Sequence, residues 1–388
     1  MDTIEIRQIH DDHEWQEALD LWVNVFPKNR AFFEERIRLD PNCQSYHTWI
    51  AKVNGQMAGA VQIFPFPLSY HGVELKCGGI GNVAALPKYR GRHLIRTILN
   101  HQTKWMAEHG YDLSLLFTGI NSFYEKEGWQ TLPMDELVMD VSQIPEMAER
   151  RECHIRPINE CDFNAVQEMY RHFIGPLCGS RIRTDAYWKG QLAWNKNRKG
   201  AFLNAFDHDE LVAYLRWEAF GENKIGLVEC CYLPEHEAAV ASLVYHLKEH
   251  LAPECSLMVQ MPEHHALWKL FQECGARIEN YNGAMWKILR FHNFFQKIEP
   301  VLSERLIHYT GNKTSLLLRS GDNELLVHLM NGKAEIEVPG DSVTYQTSIE
   351  RRPSELVSDV LLGTSVQSET YAALFPKNDY AFWKTDRF

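Results

Sequence analysis

No stretch of about 18 apolar residues occurs in the chain, so no membrane-spanning helix is expected. The opening residues, MDTIEIRQIH, lack the basic and apolar regions of a secretory signal. There is no CxxC pair, and no His/Cys cluster has zinc-ligand spacing, so no metal site is expected. Nine cysteines are scattered along the chain, and the adjacent Cys230 and Cys231 are poorly placed to bridge each other. Free thiols in a reducing cytoplasm are the expectation. An excess of positive charge is also missing. Lys and Arg number 40 against 51 Asp and Glu, giving a formal net charge of -11 at pH 7. That disfavours a nucleic-acid partner and is compatible with a cationic small molecule.

What is present is the composition of a soluble globular protein. Of 388 residues, 45% are hydrophobic and 23% charged, enough chain for two or three cores. An internal echo organises it. Ile6-Arg7-Gln8-Ile9 is followed by a polar turn and a helical pattern through Ala18, Leu19, Leu21, Trp22 and Phe26. Ile155-Arg156-Pro157-Ile158 is followed by the same order, with Ala165, Val166, Met169 and Tyr170 in the helix. Each half then shows a hairpin, a long helix, a short strand and a final helix. The hairpins turn at Asn54-Gly55 and at residues 207–210.

The last hundred residues change character. Short strands are expected over 314–318, 324–330, 334–338 and 343–348, with turns at Asn331-Gly332 and Gly340-Asp341. Helices are expected from Pro353 to Gly363 and over 366–374. The reading is therefore α/β (α+β): two related mixed-sheet units, residues 1–150 and 151–290, then an α+β unit, 291–388.

Residues 81–96, GNVAALPKYRGRHLIR, carry the richest chemistry. A strand ends at Pro87, a helix starts soon after, and Lys88, Arg90, Arg92 and Arg96 lie within nine positions. Free N–H groups at a helix start favour an anion, and arginines add charge-assisted bonds, so the turn suits a diphosphate. After a further strand comes Asn121-Ser122-Phe123-Tyr124-Glu125-Lys126-Glu127-Gly128-Trp129.

A basic turn and an FYEKEGW segment, in that order and separation, resemble the GNAT superfamily of N-acetyltransferases. The family's cofactor turn reads Arg/Gln-x-x-Gly-x-Gly/Ala. Here Lys88 replaces Arg or Gln, Gly91 fits, and His93 stands where a small residue is usual. The whole layout, with a sterol-carrier-like tail ending Asp386-Arg387-Phe388, is similar to the enhanced intracellular survival family of aminoglycoside and amine acetyltransferases. That resemblance implies acetyl-CoA as co-substrate, without a metal, held by Val83, Ala84, Ala85, Arg90, Gly91, Arg92, His93, Leu94, Ile95, Arg96, Gly119 and Ile120. It implies Tyr124 as general acid and the main-chain carboxylate of Phe388 as base, acting on a primary amine of a small cationic molecule or a lysine side chain. It also implies a homohexamer. In the second half the matching turn, residues 233–238, is acidic, so that half is expected to lack cofactor. Phe26 to Glu35 either line a pocket mouth or form a helix surface. A second reading is a non-catalytic module, with His93 marking a decayed cofactor site and the tail binding an apolar ligand.

Overall fold

The computed structural model describes residues 2–145, 153–196, 200–307, 309, 313–330, 332–340 and 344–388. The first part of the chain runs β1 (Ile4–Gln8), α1 (Asp12–Val25), α2 (Arg30–Leu39), β2 (Thr48–Val53), β3 (Gln56–Tyr70), β4 (Val73–Ala85) and α3 (Leu94–Glu108). It continues with β5 (Leu113–Phe117), α4 (Asn121–Glu125), β6 (Gln130–Thr131) and β7 (Met134–Asp140). Helix α1 starts where Asp11 accepts from the Glu14 N–H at 2.9 Å, and it buries Ala18, Leu19, Leu21 and Trp22. The β2–β3 hairpin turns on Asn54 and Gly55, both at positive φ, the conformation a two-residue turn requires.

The second part repeats the order. It comprises β8 (His154–Pro157), α5 (Phe163–Ile174), β9 (Cys178–Arg181), α6 (Asp185–Lys196), β10 (Gly200–Asp207), β11 (Glu210–Ala219) and β12 (Lys224–Tyr232). Then follow α7 (Glu237–Lys248), β13 (Ser256–Val259), α8 (Ala266–Glu273), β14 (Arg277–Tyr281) and β15 (Ala284–Ile288). The last part holds α9 (Phe291–Arg305), β16 (Thr314–Ser320), β17 (Asn323–Met330), β18 (Lys333–Glu337), β19 (Thr347–Glu350), α10 (Pro353–Leu362) and α11 (Glu369–Leu374).

The echo at Ile6 and Ile155 becomes one strand order used twice. The first sheet runs β1-β2-β3-β4-β5-β15-β6, with β9 added beside β3. The second runs β8-β10-β11-β12-β13-β7-β14. Each sheet takes its penultimate strand from the other half. β15 pairs with β5 (Ala284↔Phe117 to Ile288↔Leu113), and β7 pairs with β13 (Leu137↔Val259 to Asp140↔Ser256). Contiguous boundaries at 150 and 290 therefore leave three strands, β7, β9 and β15, on the opposite sheet, and position 150 itself lies outside the described residues.

The last part is a four-stranded sheet, β18-β17-β16-β19, covered by helices. Its β19 starts at Thr347 rather than at 343, because pairing with β16 begins at Leu316↔Thr347; Val343, Asn331 and Asp341 lie outside the described residues. Gly363 ends α10 at φ 99, as the sequence predicts. One core joins this unit to the first sheet, with Phe294, Leu302, Leu316 and Leu356 packed with Phe66, Leu113 and Trp286. Among the described residues no helix is long and apolar enough to cross a membrane.

Candidate active site

Strands β4 and β5 run parallel and paired from Cys77↔Leu113 to Ile80↔Leu116, and there the pairing stops. β4 continues to Ala85 against β3, but with a register shift opposite Ala60–Gln62. Asn82, at φ 51, is part of this bulge. An inserted residue bends its strand, and here β4 leaves β5. Past Ile80 the main-chain groups of Val83 to Ala85 on the β5 side have no strand partner. Among the described residues the buried Asn82 Nδ2 also lacks an acceptor. The open seam thus offers donors to a narrow amide-bearing chain.

The basic turn closes one end of the seam. Residues 87–89 make a single 3₁₀ turn, and the Tyr89 hydroxyl donates to Gln56 Oε1 at 2.9 Å. Gly91 (φ 78) and His93 (φ 59, ψ 13) both adopt the left-handed conformation. Glycine adopts this conformation without strain. His93 meets the requirement at a conformational cost rather than by a change of path. Helix α3 begins at Leu94 without a side-chain cap, and its first main-chain bond runs from Thr97 N–H to His93 O at 3.0 Å. The N–H groups of Leu94, Ile95 and Arg96 lack intrahelical partners, as at any helix start. Of the basic side chains, Arg92 is paired with Asp2 and Arg96 with Glu127 (2.5 Å). Lys88 donates to Gln56 at 3.3 Å. Arg90 is exposed and makes no ion pair among the described residues, so it is the arginine available to a phosphate. His93→Val is expected to cost about 1–2 kcal/mol, because a β-branched residue fits the left-handed region poorly. His93→Gly should be tolerated in both stability and coenzyme A affinity; thermal unfolding and calorimetric titration read the two.

Tyr124, on α4, is buried against Phe123 and Trp129, and burial pushes its phenol up to about 12. It shares a core with Ile80 and Leu116, on the α3 face of the sheet. Gly119 and Ile120 lie exposed in the loop between β5 and α4. Phe388 lies on the other face. Its ring packs on Phe64 (5.3 Å between centroids), Phe117 (5.7 Å) and Phe66 (5.9 Å). It sits where Gly79 leaves room; a Cβ on Gly79 would collide with it. Successive residues of a strand face opposite ways, so Gly79 and Gly81 floor one side and Ile80 the other. Tyr124 and Phe388 therefore approach the β4–β5 seam from opposite faces.

A buried charge network holds the tail that delivers Phe388. Arg183, fully buried, donates to Asp386 (Nε to Oδ1 2.9 Å, Nη2 to Oδ2 2.8 Å) and to Glu229 (2.9 and 2.6 Å). Arg216 adds a bond to Glu229 (3.1 Å), and Gln191 holds Thr385 O (2.7 Å) and Asp386 (3.0 Å). Burial alone would raise the Glu229 carboxyl, but Arg183 and Arg216 bring it down to about 2. The same tail lies along the second half's seam. There β12 and β13 part after Leu227↔Val259. Thr385 and Asp386 meet the network at Glu229, while Arg387 reaches Gln260 at 3.2 Å. Sequence reasoning missed Arg183, Glu229 and Gln191. The available signal was Glu229 itself, a carboxylate inside the apolar run Leu227-Val228-Glu229-Cys230-Cys231, which needs a buried cation.

Residues 5–132 match the acetyltransferase (GNAT) domain family. That span holds the bulged seam, the turn and Tyr124. Solved structures match over the full length of both chains. They include a probable N-acyltransferase from Enterococcus faecalis (18% identity, TM-score 0.77) and a GCN5-related N-acetyltransferase from Anabaena variabilis (15%, 0.74). Eis1 from Mycobacterium abscessus also matches (14%, 0.69). At these identities the likeness is one of fold. No curated protein matches the sequence. Among the described residues no group of His, Cys, Asp and Glu is arranged to hold a metal.

Proposed function

We propose that the chain transfers an acetyl group from acetyl-CoA to a primary amine. One observation carries this reading: Phe388 sits on the glycine floor where β4 leaves β5, with Tyr124 on the opposite face of the same seam. Acetyl-CoA supplies an activated acetyl thioester. The N–H groups of Leu94, Ile95 and Arg96 and the Arg90 guanidinium would hold its diphosphate, with Gly91 giving close access. The main-chain groups of Val83 to Ala85 that face away from β3 would line the seam, and Gly119 and Ile120 would form its far wall.

Two protons then have to move. The carboxylate of Phe388 accepts one from the attacking ammonium, leaving a neutral amine. The Tyr124 hydroxyl gives one to the departing sulfur and regains one from the nitrogen as the amide forms. A phenol held near 12 stays protonated throughout the neutral range and so remains a donor. The acceptor that the sequence suggests is an aminoglycoside, a polyamine-like amine or a lysine side chain.

Tyr124→Phe should lower kcat by about 10²-fold or more, the usual scale for a positioned acid, with coenzyme A affinity unchanged. Thiol release from acetyl-CoA and calorimetric titration give the two readings. An unchanged rate would remove Tyr124 from the mechanism, and failure to bind coenzyme A would favour the non-catalytic reading. The tail in the second seam supports a stoichiometry of one coenzyme A per chain.

A further inference from the structure

The two halves open their seams at the same step, and the residue there differs. Parallel pairing ends at Ile80↔Leu116 in the first half and at Leu227↔Val259 in the second. Two places beyond stand Asn82 and Glu229. Both strands are also bulged at this step. Val228 is the extra residue in the second half, and in the first Asn82 and Val83 together face the single Val61.

Glu229 reaches into its own seam. Its carboxylate accepts from Thr385 Oγ1 of the tail that lies there, besides Arg183 and Arg216. A polar side chain at this step thus bonds to the chain that fills the seam. In the first half β4 has no strand partner on the β5 side past Ile80. There the Asn82 amide nitrogen is buried and has no acceptor among the described residues. Buried donors are rarely left so. Gln102, on α3, donates to Val61 O at 3.1 Å, and its own Oε1 has no donor; the two amides do not bond to each other. Nor does the bend need the amide, because at φ 51 glycine would serve without strain.

The faces of β4 locate this residue. Gly81 lies against Phe388 and Phe64, whereas Val83 packs with the core that holds Ile80 and Tyr124. Asn82 stands between the two, at the step from the Phe388 face to the Tyr124 face. An acetyl carbonyl attacked from the first face, with its sulfur protonated from the second, has to lie at this crossing.

We propose that the Asn82 side-chain amide donates to the carbonyl oxygen of the acetyl thioester and stabilises the oxyanion that forms on attack. This rests on the transferase reading above and adds a residue that acts on charge rather than on protons. As the amine nitrogen bonds to the acetyl carbon, the carbonyl electron pair moves onto oxygen, where the Asn82 N–H meets it. The pair returns as the C–S bond breaks and sulfur takes the Tyr124 proton; the nitrogen then gives its proton to Tyr124.

Asn82→Gly tests this, because glycine keeps the left-handed bend and removes only the amide. Acetyl-CoA labelled at the carbonyl carbon is bound to the chain, and the thioester carbonyl stretch is read by infrared difference spectroscopy. The wild-type band is expected below that of free acetyl-CoA, and the Asn82→Gly band is expected to return toward the free position. With spermidine, kanamycin or a lysine peptide as acceptor, kcat should fall by about 10²–10³-fold in Asn82→Gly, the usual loss for one oxyanion donor, with coenzyme A affinity unchanged. Asn82→Asp keeps the shape but sets a carboxylate against the oxyanion, and should lose at least as much.

The band needs no acceptor, so it decides even where none of these amines is turned over. An Asn82→Gly band that stays at the wild-type position, or an unchanged kcat, overturns the proposal. Weaker coenzyme A binding with an unmoved band would put Asn82 on the pantetheine arm. A lower unfolding midpoint with unchanged kcat would pair it with Gln102. Both results also overturn the proposal, and both leave the transferase reading standing. Failure of the wild type to bind acetyl-CoA defeats the transferase reading and the role of Asn82 with it.

Discussion

Adding one glycine after Phe388 is expected to lower kcat/KM by about 10³-fold or more, while coenzyme A affinity and thermal unfolding stay unchanged. The added residue turns the carboxylate on Phe388 into an amide. An amide cannot take a proton from an ammonium, and the new carboxylate sits about 3.8 Å further along the chain. The Phe388 ring, packed on Phe64, Phe66 and Phe117, keeps its seat, so the fold has no reason to respond. Gly79→Ala is the complementary experiment. Its Cβ displaces the same ring and should lower the rate while the carboxylate is retained. Full activity of the glycine-extended chain would place the base elsewhere.

Asp386→Ala should act through stability first. Asp386 is 1% exposed and shares Arg183 with Glu229, so its removal leaves two buried arginines facing one carboxylate. Breaking a buried ion pair from one side costs about 3–5 kcal/mol, enough to release the tail and lower the unfolding midpoint. Turnover should fall with it, because residues 384–388 lose their anchor. The Glu229 carboxyl gives the pH dependence its sign. Its folded value is depressed to about 2 from an ordinary 4.5. Its contribution to stability is therefore present above about 4.5 and is lost as pH falls toward 2. Chemical denaturation between about pH 5 and 3 should show this loss in the wild type and a smaller one in Arg183→Met, where the partner is absent. A wild type equally stable across that range would mean that Glu229 titrates alike in folded and unfolded chains.

The sequence exposed what is local. The turn after β4 could be read because glycine, arginine and a helix start crowd into nine positions, and the paired halves because Ile6 and Ile155 open the same order of elements. The short strands and helices after residue 314 were legible from alternation and from Pro353 and Gly363. What stayed hidden is non-local. Nothing near Leu137 or Met285 says that each strand crosses to the other sheet. Gly79 reads as one glycine among several until a ring from residue 388 is found above it. Asp386 and Glu229 lie more than 150 residues apart, and only the fold supplies the arginine between them.

The crossed strands set a timetable for synthesis. β5 is made early, but its partner β15 follows roughly 170 residues later. At ribosomal speeds of about 5–20 residues per second, the edge of β5 waits on the order of ten to thirty seconds. Over the same interval β7 has emerged with no sheet of its own to join. Open strand edges recruit other chains. A nascent chain of this protein is therefore a natural client for a holding chaperone, and its yield should depend on how fast translation crosses residues 140–284.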